Sequence, residues 1–446
     1  MAEVTVVGGG LAGCEAAWQL AERGHEVTLV EMRPVQTTPA HQTERLAELV
    51  CTNSFKSEDP TNAHGLLKRE MRTLGSLLLA AAAEARVPAG AALAVDRDVF
   101  SARMTALVES HPRIRLERRE VTALPEGPAV VATGPLTSDA FTAVFQQLLG
   151  EAGLAFFDAI APIVSFESID LEKAYFLSRY GKGEGDDYLN CPLDREQYRA
   201  FLEALRAADI YPGHDWENVP YFEGCLPIEV MASRGDDTLR FGPMKPVGLP
   251  DPRTGREPYA VLQLRREDKA GQMWNLVGFQ TRLRTGEQRR VFRMIPGLEG
   301  AEFLRHGSIH RNTYLNFPAG LAPYGAPAGR ADLIFAGQLT GVEGYTESAA
   351  SGILAGINLD RVIRGEGAVV PPSTTMLGGL YRYLADADPR DFAPMNSNFG
   401  LIDPLPGRIR DKDAKRERLA ERAREDFEGW MREHGIEPAP VVPATV

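Results

Sequence analysis

Three glycines near the amino terminus, Gly8, Gly10 and Gly13, have the spacing that wraps a diphosphate. They lie in the run Gly8-Gly9-Gly10-Leu11-Ala12-Gly13, directly after the apolar stretch Val4–Val7. A G-x-G-x-x-G at a strand-to-helix step aims backbone N–H groups, and the positive end of a helix, at a phosphate. Gly8 permits the tight turn, Gly10 leaves room for the pyrophosphate, and Gly13 lets the helix close onto the strand. Glu31 ends a second apolar run, Val27–Val30. An acid about 20 residues beyond the glycines accepts hydrogen bonds from a ribose, which favours FAD or NAD over NADP.

The other reactive side chains are thiols. Cys14, Cys51, Cys191 and Cys225 show no C-x-x-C pair and no zinc spacing, so neither a local redox pair nor a metal site is expected. Reduced thiols are expected instead. Each cysteine alone fits a small buried apolar residue as well as a nucleophile. Cys14, inside the first helix, and Cys191, beside Pro192, fit the buried role better. Cys51 has polar neighbours, Asn53, Ser54 and Lys56, and a cation there lowers a thiol pKa.

These groups need a scaffold. The 446 residues are enough for two or three domains with a large core, and 44% hydrophobic with 25% charged residues is ordinary for a globular protein. No signal peptide is visible before the first strand, and no apolar run reaches membrane-spanning length, so a cytoplasmic protein is expected. A net charge of −12 argues against general nucleic-acid affinity but leaves room for local basic patches. Of 49 basic residues 41 are arginine, a bias that genome composition or thermal adaptation explains more readily than phosphate binding. The densest basic stretch is Arg282, Arg284, Arg289, Arg290 and Arg293, equally suited to phosphate contact and to a solvated surface.

Periodicity predicts one helix over Gly65–Ala85, another over Phe100–Ser110, and strands at Ile114–Leu116 and Ala129–Gly134. Past Asp158 the pattern turns to a more antiparallel sheet. Strands are predicted at Ile160–Ser165, Tyr259–Leu264 and Trp274–Phe279, with a helix over Arg195–Ala208. A late apolar strand, Asp332–Gly337, then leads through Gln338–Tyr345 into a small-residue helix, Glu347–Leu359. A glycine fingerprint at the start with a strand–turn–helix return near residue 335 favours FAD over NAD. Asp411–His434 is charged throughout, with Leu419, Phe427, Trp430 and Met431 as a partial apolar side. It is expected to be a solvated helix, with RNA contact as the alternative.

Several runs together resemble the GidA-related flavoproteins across nearly the whole chain. They are Gly8–Gly13, Leu49-Val50-Cys51-Thr52-Asn53-Ser54, Pro88-Ala89-Gly90, Ala94-Val95-Asp96-Arg97-Asp98, Ala132-Thr133-Gly134-Pro135-Leu136-Thr137-Ser138, His310-Arg311-Asn312-Thr313-Tyr314 and Gly337–Tyr345. The chain length, and a cysteine loop at Gly224-Cys225-Leu226-Pro227, resemble the shorter branch of that family, the folate- and FAD-dependent tRNA (uracil-5-)-methyltransferases. The resemblance implies an α/β fold: a Rossmann-like, glutathione-reductase-like FAD-binding domain (1–157) and an inserted α+β substrate domain (158–325). Residues 326–446 would return to the FAD domain and add C-terminal helices.

It further implies ribothymidine formation at the T-loop uridine (position 54) of tRNA. The carbon would come from 5,10-methylenetetrahydrofolate and the electrons from NAD(P)H through FAD. Uracil C5 is a poor nucleophile until a thiolate adds at C6, so the chemistry requires a reactive cysteine. On the resemblance Cys225 attacks C6, and Cys51 lies over the flavin or assists. Gly8, Gly9, Gly10, Leu11, Ala12, Gly13, Glu31, Thr133, Gly134, Gly337, Gln338, Glu343, Gly344 and Tyr345 are expected to bind the cofactor. No metal is expected. Glu343 and Tyr345 are candidates for the base that takes the C5 proton, and His310, Arg311 and Asn312 for folate or RNA phosphate. No second fingerprint marks a nicotinamide domain, and a monomer is slightly favoured. The alternatives are a GidA-like wobble-uridine modification protein, an FAD/NAD(P)H oxidoreductase and a non-catalytic RNA scaffold.

Overall fold

The computed structural model describes residues 1–38, 40–149, 153–183, 185–211, 226–407 and 409–440, without the side chains of 146, 147, 149, 153–160 and 308–313. Strand β1 (Glu3–Val7), helix α1 (Leu11–Glu22) and strand β2 (Glu26–Glu31) form the unit that the glycine run requires. β1 and β2 pair in parallel, Val4 opposite Val27 and Val7 opposite Val30. An irregular stretch leads to β3 (Ser54–Ser57).

Two helices, α2 (Ala63–Thr73) and α3 (Leu77–Glu84), stand where the sequence predicts one. The break is tertiary in origin. Gly75 takes φ +77°, and a Cβ there would lie 2.0 Å from the carbonyl oxygen of Ala439 in the C-terminal segment. Ser76 then caps α3, and the carboxylate of Glu15 on α1 accepts the backbone N–H groups of Leu77 and Leu78, each at 3.0 Å. These otherwise orphaned donors are thus satisfied from another helix.

The short strands β4 (Arg86–Val87) and β5 (Ala92–Val95) pair with each other and, through β5, with β3 in an antiparallel sheet. Helix α4 (Arg97–Ser110), capped by Asp96, leads to β6 (Ile114–Arg118). β7 (Ala129–Val131) stops short of the predicted Gly134, and α5 (Asp139–Leu149) and β8 (Gly153–Ile160) follow. The predicted strand Ile160–Ser165 divides here. Ile160 closes β8, Pro162 interrupts with its missing N–H, and β9 (Ile163–Ser165) opens a different sheet.

That sheet collects β9, β10 (Tyr175–Phe176) and β11 (Tyr188–Leu193) first. Helices α6 (Arg195–Arg206), α7 (Ile228–Ser233) and α8 (Thr238–Phe241) precede β12 (Ala260–Arg266) and β13 (Met273–Leu276). Helix α9 (Thr285–Phe292) and β14 (Phe303–Arg305) complete it. The six strands run antiparallel in the order β10-β11-β12-β13-β9-β14. Phe201, Trp274, Phe279 and Phe292 fill its own core. A register shift between Phe303 and Arg305 puts a bulge in β14.

β15 (Ser308–Leu315) returns antiparallel along β8, so the chain leaves and re-enters the first layer side by side. After α10 (Phe317–Gly320), β16 (Leu333–Phe335) joins β7. The first sheet is wholly parallel, in the order β16-β7-β1-β2-β6. Helix α11 (Tyr345–Ile363) then lies against α1 at backbone distance. A Cβ at Gly352 would be 2.1 Å from the Ala12 carbonyl oxygen, and one at Gly356 would be 2.8 Å from Gln19 Cβ. The chain ends in α12 (Met376–Asp386) and α13 (Lys412–Glu433). α13 is more than a solvated helix, because Leu419, Ala423, Phe427, Trp430 and Met431 are buried.

Candidate active site

An open cleft runs across the carboxyl ends of the parallel strands, where ligands of such sheets bind. Its two lobes, about 550 and 610 Å³, share Gly10, His41, Thr133 and Leu136. Gly8, Gly9 and Glu31 line the first lobe. Leu11, Ala12, Gly134, Gly337, Gln338 and Tyr345 line the second. The remaining expected cofactor residues stand just behind. Gly13 packs on the turn, where a Cβ would be 1.8 Å from the Gly8 carbonyl oxygen. Glu343 accepts a 2.7 Å bond from Gln338 Nε2, and Gly344 precedes the first residue of α11.

The cleft fits a dinucleotide. A Cβ on Gly10 would meet nothing within 4 Å, so the glycine leaves open space on the cleft side rather than avoiding a protein neighbour. No side chain caps α1, so its first N–H groups are left for a phosphate. Glu31 accepts from Gly9 N at 2.8 Å with one oxygen and from Arg33 N and Nε, at 3.0 and 2.8 Å, with the other. Burial opposes its charge, but these bonds and the Arg33 guanidinium outweigh it and hold the carboxyl below its usual range. An ionised acceptor therefore faces the first lobe.

At the far lobe the loop carrying Cys51 is held residue by residue. The Tyr345 hydroxyl, at the start of α11, accepts from the backbone N–H of Cys51 at 2.7 Å and of Thr52 at 3.2 Å. Arg97 donates to the carbonyls of Leu49 and Cys51, and Arg305 to that of Val50 at 3.0 Å. Arg265 donates to Thr52 Oγ1 at 2.8 Å and to Asn53 Oδ1 at 3.0 Å. The three arginines come from α4, β12 and β14, so both layers of the fold grip one loop. Burial pushes the Tyr345 phenol above its usual range, and it stays protonated at neutral pH.

Over residues 3–367 the chain matches the family described as Glucose inhibited division protein A, GIDA. The methylenetetrahydrofolate–tRNA-(uracil-5-)-methyltransferase TrmFO of Geobacter sulfurreducens is 58% identical over 429 residues, 96% of this chain and 98% of the relative. The TrmFO of Enterococcus faecalis is 54% identical over 421 residues, 94% and 97% of the two chains. The chain belongs to the TrmFO branch of the GidA family. Aquifex aeolicus GidA shares the fold, with a TM-score of 0.66 at 17% identity over 95% of this chain and 73% of that one. The fold is therefore the Rossmann-like α/β fold of the GidA flavoproteins.

Within this TrmFO-branch chain the remaining sequence candidates separate. Cys14 and Cys191 are fully buried. Burial pushes both thiols up, that of Cys191 to about 12, so neither ionises at neutral pH. Cys51 is half-buried. Gly224 and Cys225 lie outside the described residues, as do the side chains of His310, Arg311 and Asn312. In the basic stretch Arg290 pairs with Glu287, Arg293 donates to the Ala301 carbonyl and Arg284 lies over the Tyr211 ring. Arg282 stands 3.6 Å from Glu229, and Arg289 reaches His306 at 3.3 Å. The cations beside Cys51 are Arg97 and Arg305, whereas Lys56 acts on Glu347.

Sequence reasoning missed Glu347, which is wholly buried in the first turn of α11. It accepts from His64 Nδ1 at 3.2 Å, Ser397 N at 3.0 Å and Thr346 Oγ1 at 2.9 Å. Burial raises its pKa, but His64, Lys56 and the Ser397 N–H more than reverse that and hold the carboxyl far below its usual range. A depressed carboxyl stabilises the fold above its unfolded pKa, roughly 4.3, and that stability is lost as pH falls. Glu347→Ala, which strands these partners, should destabilise the protein by about 3 kcal/mol at pH 7. Urea melts should give the same loss when repeated on flavin-free protein, and a smaller one at pH 4.

Proposed function

We propose that this protein methylates C5 of the T-loop uridine of tRNA, with 5,10-methylenetetrahydrofolate as carbon donor and NAD(P)H as electron source. The Cys51 loop carries this reading. It is fixed at both its N–H and C=O groups, beside the lobe where a flavin ring would lie. The related enzymes named TrmFO support the substrates.

Gly8–Gly13, Glu31, Thr133 and Gly134 would hold the diphosphate and ribose of FAD, and Gly337, Gln338 and Tyr345 would border its ring. Bound flavin supplies the two electrons that reduce a transferred methylene to methyl. The cysteines supply what uracil lacks. A Cys225 thiolate adds to C6, C5 becomes an enolate carbon, and that carbon bonds to the methylene as one of its bonds to folate nitrogen breaks, the other breaking when tetrahydrofolate leaves. Loss of the C5 proton and departure of the thiolate restore the double bond. Cys51 assists at the ring end. Tyr345 positions Cys51 rather than taking the C5 proton, since a phenol held protonated is a poor base. Glu343 orients Gln338. Uracil, methylenetetrahydrofolate, NAD(P)H and a proton give the methylated base, tetrahydrofolate and NAD(P)⁺.

Among the described residues no helix is long and apolar enough to cross a membrane. We read the protein as a cytoplasmic monomer to which NAD(P)H binds transiently. The deciding experiment incubates the yellow protein with an unmodified tRNA transcript, methylene-labelled methylenetetrahydrofolate and NAD(P)H. Label in T-loop ribothymidine is expected. Flavin reduction without any labelled ribothymidine would overturn the reading in favour of a plain oxidoreductase.

A further inference from the structure

Gly10, His41, Thr133 and Leu136 line both lobes of the cleft and so stand where the lobes meet. In a parallel sheet the diphosphate of a dinucleotide lies at the glycine turn, which makes this junction its seat. The junction side chains differ in what they offer an anion. Leu136 is apolar, and Thr133 Oγ1 is engaged with Thr137 Oγ1 at 2.6 Å. The arginines of the first lobe are also engaged, Arg33 by Glu31 and Glu48, and Arg119 by Glu117. His41 brings an imidazole, whose ring N–H suits a phosphate oxygen. Thr38 Oγ1 lies 2.7 Å from its Nδ1 and steadies the ring against its own loop.

The segment that carries His41 is built onto the glycine turn. Gln42 N and Thr43 N both donate to the Glu48 carboxylate, at 2.7 and 3.0 Å, which closes the segment into a loop. Arg33 joins that carboxylate to Glu31, at 3.2 and 2.8 Å, and Glu31 accepts from Gly9 N at 2.8 Å. From the other end of the loop, Ala47 N donates to the Gly9 carbonyl at 2.8 Å. Both backbone groups of Gly9 are thus tied to one loop, the carbonyl directly and the N–H through two carboxylates and an arginine. Gly9 permits this approach, since a Cβ there would lie 2.5 Å from Leu46 Cδ2. The turn that would receive a diphosphate and the loop that carries His41 therefore form one unit.

We propose that His41–Glu48 is a second wall of the dinucleotide site, and that His41 donates a ring N–H to a diphosphate oxygen across the junction from Gly10. The glycine turn supplies backbone donors and His41 adds a side-chain donor, so the diphosphate is held by two parts of the chain. This inference rests on the dinucleotide reading of the cleft but not on methyl transfer. Its test uses apo-protein without tRNA or folate, so a failure here is distinct from a failure to methylate.

The test titrates apo-protein with FAD, ADP and adenosine. His41→Ala should weaken FAD and ADP by about 10-fold, the scale of one hydrogen bond to a charged group, and leave adenosine unchanged. Unchanged ADP affinity in His41→Ala, beside weakened ADP in Gly10→Val, would overturn the proposal while leaving the diphosphate at the turn. Unchanged ADP affinity in both would overturn the seat as well. An equal loss of ADP and adenosine would place His41 at the ribose and also overturn the proposal. A second measurement needs no variant to fold. It follows carbethoxylation of His41 by diethyl pyrocarbonate in wild-type apo-protein, with the His41 peptide quantified by mass spectrometry. Saturating ADP should slow the reaction severalfold and saturating adenosine should not. Equal rates with and without ADP would overturn the proposal.

Discussion

A Gly10→Val protein is expected to purify colourless and folded. Nothing lies within 4 Å of the place a Cβ would take at Gly10, so the side chain enters open space rather than a protein neighbour. It stands instead where the diphosphate must approach the turn. Flavin affinity should fall by about 100-fold or more, which is roughly 3 kcal/mol. The melting curve of flavin-stripped variant should overlay that of flavin-stripped wild type. Gly13→Ala supplies the contrast. Its single added carbon would sit 1.8 Å from the Gly8 carbonyl oxygen, a backbone atom with no rotamer to escape into. That variant should lose about 3 kcal/mol of stability before any cofactor is considered. The ratio of absorbance near 450 nm to protein, read beside apo-protein melts, separates the two effects. A yellow Gly10→Val protein would remove the diphosphate from this turn.

The second large effect is expected at the thiols. Cys51→Ala should keep its flavin and its stability, because the loop is held through backbone groups that alanine retains. Labelled ribothymidine should nevertheless fall by about 10³-fold or more, as when one member of a catalytic unit is removed. Cys225→Ala should lose methyl transfer to a similar extent without losing tRNA affinity. Full transfer in either variant would return that cysteine to a structural role.

Much of the cofactor side is legible from residue order alone. A glycine fingerprint, an acid after the second strand and a late strand feeding a helix are local signals, and the residues they name line or back a single cleft. The thiol side is legible only in part. Cys51 stands out by its polar neighbours, but the arginines that grip its loop are residues 97, 265 and 305, one on a helix of the first layer and two on separate strands of the antiparallel sheet. No spacing rule links them, and Lys56, the cation nearest in sequence, acts on the Glu347 carboxyl instead. The split between α2 and α3 is hidden for the same reason. Gly75 reads as a tolerable glycine within a helical pattern until the Ala439 carbonyl arrives from the other end of the chain. Glu347 hides by looking like an ordinary first-turn acid, a residue type normally placed there to suit the helix dipole.

The contact between α1 and α11 fixes a length. α1 begins at the turn that would receive the diphosphate, and α11 begins with the tyrosine that borders the ring lobe. Gly352 lets α11 meet the α1 backbone at Ala12, and Gly356 lets it close on Gln19 Cβ and the Ala16 carbonyl. A side-chain layer can creep or repack, whereas two backbones in contact cannot slide without breaking it. The two ends of the cleft are therefore gauged against each other like the jaws of a caliper. A dinucleotide seated at the diphosphate end would have its ring held at a set distance along the cleft, beside the Cys51 loop.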